Sequence, residues 1–141
     1  MDEKYFGPIM KKISEEMDRK ANLEIKKYNL TLTQARVILF LARNDENTAT
    51  QKELEDFLQV SHPTTVTIVK SMEAKKMVKT SFDDADRRMK NVKLIWGNET
   101  IYRELEQNAE HMEQKLLVGF SEEEKELFYS FLNRTYKNAV T

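Results

Sequence analysis

Near the start of the chain, apolar residues recur at three- and four-residue steps: Phe6, Ile9, Met10, Ile13, Met17 and Ala21, with Lys and Glu between them. That spacing predicts a helix over residues 4–28. Gly7-Pro8 leaves open a start only after Pro8. A lone helix of this length is marginal in water, so its apolar stripe requires a partner. Next, Thr31 and Gln34 have the spacing of a capping box, and the helix they open is apolar almost all round from Ala35 to Ala42. A helix of that kind is buried on most sides. Asn44 to Asn47 reads as a polar loop.

Thr50 and Glu53 form a second capping pair before a short helix with Leu54, Phe57 and Leu58 on one face. That helix ends near Gln59-Val60. Ser61 is a good N-cap, and Pro63 fits the first turn of the next helix, which runs to about Lys75. Thr65, Ile68, Val69 and Met72 are expected to point inward. Two helices joined this tightly match a helix-turn-helix. Val78 to Phe82 and Val92 to Trp96 each alternate apolar and polar residues around a charged stretch, 83–90. They predict an antiparallel hairpin with Val78, Phe82, Val92, Leu94 and Trp96 against the core. After Gly97-Asn98, with Asn98 as a cap, a helix to about Leu117 carries Ile101, Leu105, Ala109, Met112 and Leu116. Ser121 and Glu124 form a third capping box, with acidic residues at the positive end of a last helix carrying Leu127, Phe128, Phe131, Leu132 and Tyr136.

The predicted fold is therefore mainly α with a small β-wing. Its 141 residues suit one domain or two small lobes on one core. Three glycines and two prolines agree with long helices and few turns. The absence of cysteine excludes disulfides, thiol sensing and Cys-ligated zinc. No apolar run approaches the roughly 20 residues that span a bilayer, and no signal-peptide core is present, so a cytoplasmic protein without a membrane partner is expected. The net charge of −1 argues against nucleic acid until its distribution is examined. Ser61 to Lys93 holds eight Lys or Arg against four Asp or Glu, whereas Trp96 to Thr141 holds five against nine. Phosphates respond to the local patch.

Three stretches carry a family resemblance. They are Leu30-Thr31-Leu32-Thr33-Gln34, then Thr50 to Leu54 followed by Leu58-Gln59-Val60-Ser61, and Asp83-Asp84-Ala85-Asp86-Arg87-Arg88. In order and spacing the chain resembles the MarR family of winged-helix transcription regulators. Departures are Ala85 for the first wing Arg, Glu55 where Ala is usual, Val66 for a frequent Thr, and Lys76 where a Gly often ends the recognition helix. Gly97-Asn98 also replaces the usual Thr-led cap.

The resemblance implies a winged helix-turn-helix DNA-binding domain over 30–97, with dimerisation helices over 1–29 and 98–141. It implies a homodimer on a pseudo-palindromic double-stranded operator, acting as a repressor and released or modulated by a small apolar or aromatic ligand. On the recognition helix the candidate DNA contacts are Ser61, His62, Pro63, Thr64, Val66, Thr67 and Lys70. On the wing they are Asp86, Arg87, Arg88 and Lys90, with Arg88 in the minor groove braced by Asp86. Gln51 and Lys52 are candidates for the DNA backbone. A ligand cleft would be lined by Ile9, Met10, Ile13, Met17 and Phe40, which equally make ordinary core. The threonines could be plain surface, the wing a solvated loop, and the terminal helices an intramolecular bundle. A winged-helix dimer that binds protein without reading DNA is the alternative function. The two histidines, His62 and His111, are isolated, and neither a catalytic triad order nor a nucleotide loop occurs. No enzyme, metal or cofactor is expected.

Overall fold

The N-terminal helix, α1 (Phe6–Ile25), starts before its proline. Pro8 lies in its first turn, where a missing N–H breaks no intrahelical bond. The computed structural model describes residues 4–95 and 99–141. Instead of running to residue 28, α1 gives way to a 3-10 turn, Lys26–Tyr28, which ends on a left-handed Asn29. In α2 (Leu32–Arg43) both reciprocal bonds of the capping box form: the Gln34 amide to Thr31 Oγ1 at 3.1 Å, and the Thr31 amide to Gln34 Oε1 at 3.2 Å. Val37 and Leu41 are wholly buried, with Ala35 and Ile38 close behind, so this helix becomes the centre of the core.

The rest of the lobe is β1 (Thr48–Thr50), α3 (Gln51–Leu58), α4 (His62–Ala74), β2 (Val78–Phe82) and β3 (Lys90–Leu94). The sheet is antiparallel in the order β1-β3-β2. Val69 and Met72 of α4 pack with Leu54, Val78 and Val92 in one cluster, Thr65 is also buried, and Ile68 is half-buried. Burying a side chain such as Leu54 contributes about 1.5–3 kcal/mol relative to leaving it exposed.

Two expectations for the hairpin are corrected. Its second strand begins at Lys90, two residues earlier than the alternation suggested. Phe82 does not cover the core. It pairs with Lys90 at the outer end of the ribbon and is 59% exposed. Alternation gives the face a residue points to, and the ribbon simply outruns the core. Trp96 and the proposed Gly97-Asn98 break and cap lie outside the described residues.

The chain divides into two compact units, Met1–Asn108 and Ala109–Thr141. The helix α5 (Glu99–Leu116) contributes its buried Leu105 to the first. In the second, Gly119 turns the chain at φ 88° and α6 (Glu122–Ala139) follows. Ser121 and Glu124 make a complete capping box, and their hydrogen bonds hold the Glu124 carboxyl below its ordinary pKa. Leu127, Phe128, Phe131, Leu132 and Tyr136 all stand exposed along α6.

Candidate nucleic-acid interface

The turn between α3 and α4 is built by local chemistry. Gln59 adopts a left-handed conformation, sends its amide to the Glu55 carbonyl at 2.9 Å, and donates from Nε2 to the Asp56 carbonyl at 2.6 Å. Ser61 then caps α4, accepting from the Thr64 amide at 3.3 Å and donating its hydroxyl to Thr64 Oγ1 at 2.9 Å. Pro63 sits in the first turn. Thr65 is buried and donates to the Ser61 carbonyl at 3.0 Å.

The two exposed threonines are thus left with opposite polarity. Thr64 accepts from Ser61 and keeps its own proton to donate outward. Thr67 has given its proton to the Pro63 carbonyl at 3.1 Å and offers only lone pairs. Lys70 is exposed and Val66 half-buried on the same helix.

The far end of α4 closes in a Schellman arrangement, with the Met77 amide on the Met72 carbonyl at 2.9 Å and the Lys76 amide on the Glu73 carbonyl at 3.0 Å. Lys76 takes the left-handed position at φ 60°. A side chain with a Cβ is strained there, as the missing glycine foreshadowed. Two further contacts hold this end. Glu73 accepts from the Thr80 amide and hydroxyl at 3.2 and 2.7 Å, tying α4 to β2. The buried Gln34 donates to Ser71 Oγ at 3.3 Å and accepts from Lys75 Nζ at 3.2 Å, while Lys75 also reaches the Asn29 carbonyl at 3.1 Å.

At the wing tip, Asp83 accepts from the Ala85 and Asp86 amides at 2.8 and 3.3 Å and donates its own amide to the Met89 carbonyl. Asp86 accepts from Arg88 Nε at 3.2 Å, Nη2 at 3.4 Å and the Arg88 amide at 3.0 Å. The guanidinium bond, then the amide bond, hold the Asp86 carboxyl below its ordinary pKa. Arg88 nonetheless remains 92% exposed. It is oriented rather than sequestered. Arg87 is exposed beside it.

Between this tip and the starts of α3 and α4 lies an open groove of about 470 Å³. Lys52, Arg88 and Lys90 supply its positive charge, and Val66, Phe82 and Met89 its apolar lining. Gln51 and His62 line it too, although Gln51 is a buried residue at the first position of α3. Lys52 is exposed and paired with Asp56 at 3.2 Å. The groove brings together Gln51, Lys52, His62, Val66, Arg88 and Lys90 from the sequence-predicted set. Glu55 also lines it and meets His62 Nδ1, and no role for Glu55 was expected from sequence. The signal that existed was an acidic residue one helical face back from the histidine, across a tight turn.

The proposed cleft residues fare differently. Ile9, Met10, Ile13 and Met17 lie on the outward side of α1, Ile9 half-buried and the others exposed. Phe40 has its ring stacked on Phe57, centroids 4.3 Å apart and planes 13° from parallel. Among the described residues, no helix is long and apolar enough to cross a membrane and no cluster of three or more His, Asp or Glu is placed to hold a metal ion.

Helix, left-handed turn, helix and three-stranded ribbon define a winged helix-turn-helix protein. Residues 28–89 match the model described as the MarR family. The Bacillus subtilis (strain 168) protein named "Uncharacterized HTH-type transcriptional regulator YybA" is 28% identical over 127 residues, covering 89% of this chain and 83% of that protein. The S. aureus MepR–DNA complex structure aligns with a TM-score of 0.87 at 26% identity, covering 97% of this chain and 99% of that one. The transcription regulator MarR from Oenococcus oeni PSU-1 aligns at 0.79 and 25% identity, covering 94% and 99%. Over residues 28–89 the chain is therefore similar to the MarR family.

Proposed function

We propose that this protein is a sequence-specific double-stranded-DNA-binding transcription regulator, a repressor acting as a homodimer. The observation that carries this is Arg88: nearly fully exposed, held by Asp86 on a wing, and facing a cationic groove with the recognition helix on its other side. A narrow minor groove concentrates negative potential and attracts such an arginine. Meanwhile α4 presents Thr64, Thr67 and Lys70 at a scale that fits the major groove. That S. aureus MepR has been crystallised with DNA in the same fold supports the reading.

The homodimer rests on unpartnered apolar faces. Phe6, Met10 and Ile13 on α1, and Leu127, Phe128 and Phe131 on α6, are exposed in the single chain. Two copies would place two recognition helices about one DNA turn apart, on a pseudo-palindromic site. Modulation by a small apolar or aromatic ligand is part of the proposal. In its support, the buried Tyr28 hydroxyl and Asn108 Nδ2 have no hydrogen-bond partner among the described residues. Such atoms are ordinarily satisfied by water or a bound molecule. The alternative, a protein-interaction module, is favoured by one observation: Phe82 and Met89 expose apolar surface in the groove itself.

Selection of bound fragments from genomic DNA separates the two. A regulator enriches a pseudo-palindrome. Recovery without sequence preference would favour the interaction module.

A further inference from the structure

Glu55 and His62 are seven residues apart, on opposite sides of the turn between α3 and α4, and His62 Nδ1 meets Glu55 Oε1. The histidine side chain is 67% exposed and the glutamate only 12%. Both line the groove that carries Lys52, Arg88 and Lys90. A carboxylate facing that groove opposes a polyanion, and the imidazole covers it. An ionised carboxylate only accepts hydrogen bonds, so Nδ1 carries the proton in this contact. A neutral ring protonated at Nδ1 has its lone pair on Nε2. The ring belongs to a side chain that is mostly exposed, at the first position of the recognition helix. Exocyclic amines in the DNA major groove, adenine N6 and cytosine N4, are the base-edge donors that match that lone pair.

We propose that Glu55 is a positioning residue for base recognition. It fixes the tautomer and orientation of His62, whose Nε2 accepts from the exocyclic amine of an adenine or cytosine in each half-site. The proposal rests on the DNA-binding reading above, and two measurements keep the two apart.

The first uses the free full-length protein and nitrogen NMR at about pH 8, where an ordinary histidine is neutral. His62 is expected as the Nδ1–H form, and Glu55→Ala should lower that population while leaving His111 unchanged. Nε2 protonation in the wild type, or a population indifferent to Glu55, overturns the proposal whatever the protein binds. The second compares base preferences on randomised duplexes. Glu55→Ala and His62→Ala should each lose preference, about two- to tenfold, at the same adenine or cytosine, and the double variant should lose no more. Glu55→Gln keeps an acceptor oxygen and should restore part of it, with equal urea midpoints confirming that the variants fold. A Glu55→Ala protein with intact preference, or one weakened equally on all duplexes, contradicts the proposal, as does a shared position at guanine or thymine. If the wild type selects no sequence at all, the DNA-binding reading fails, and the NMR result still decides the Glu55–His62 contact.

Discussion

Arg88 donates Nε and Nη2 to the two carboxylate oxygens of Asp86, two residues before it, and the Arg88 amide completes the clasp. The clasp fixes a long side chain that would otherwise sample many rotamers, so less ordering entropy opposes DNA contact. Arg88→Ala should weaken operator binding about ten- to hundredfold. Asp86→Ala keeps the arginine's charge and loses its aim, so it should fall between wild type and Arg88→Ala. Fluorescence anisotropy with a labelled operator measures both. Equal affinity for all three proteins would remove Arg88 from the interface.

The same clasp has a pH signature. The folded-state pKa of Asp86 lies below its ordinary 3.8. Its contribution is therefore present above the unfolded value and is lost as pH falls through the lower folded value. At neutral pH the carboxylate stays ionised and the clasp stays closed. A carbon NMR titration of the Asp86 carboxyl should show a midpoint below 3.8, returning toward that value in Arg88→Ala.

Lys76 occupies the left-handed position that closes α4 at φ 60°. Glycine has no Cβ penalty there and would keep the Schellman bonds. Lys76→Gly should stabilise the fold by about 1 kcal/mol, read as a higher urea midpoint. No change or a loss would mean that the lysine makes a compensating contact.

Gln34 is buried and holds Ser71 and Lys75 near the C-terminal end of α4. Gln34→Ala also removes the returning half of the Thr31 capping box. It should cost about 1–3 kcal/mol by leaving buried polar groups unpaired. Lys75→Met keeps most of the stem and loses only the bonds to Asn29 and Gln34, so it should cost less. Chemical denaturation checks the order.

Much of this was legible because it is written locally. Capping boxes at Thr31 and Ser121 and the cap at Ser61 each depend on residues within one turn. The wing pair Asp86–Arg88 is equally local. What escaped was written in distant pairing. The strand β1 is three residues long, Thr-Ala-Thr, and exists because Ala49 pairs with Val92. No window around it shows a strand period. Alternation points Phe82 inward but carries no information about where the core ends, and Phe82 lies beyond it. Glu55 stands out in the sequence only as a departure from the family pattern, and its partner is set by the turn that brings His62 to it.

Charge on the apolar faces tests assembly. Phe131→Glu alters a residue that is 51% exposed in the single chain, so it should leave the fold intact while converting a dimer to a monomer in sedimentation. It should also lower operator affinity, because one lobe alone reads half a site.

The central claim is selective, charge-driven reading of duplex DNA by the wing and recognition helix. Its most direct test is the affinity of the full-length protein for its enriched genomic fragment and for a scrambled duplex, each at two salt concentrations. Binding to the enriched fragment is expected to be about a thousandfold or more tighter, to weaken with salt, and to show a shallower salt dependence in Arg88→Ala. Equal affinity for both duplexes, or binding indifferent to salt and to Arg88, would contradict it.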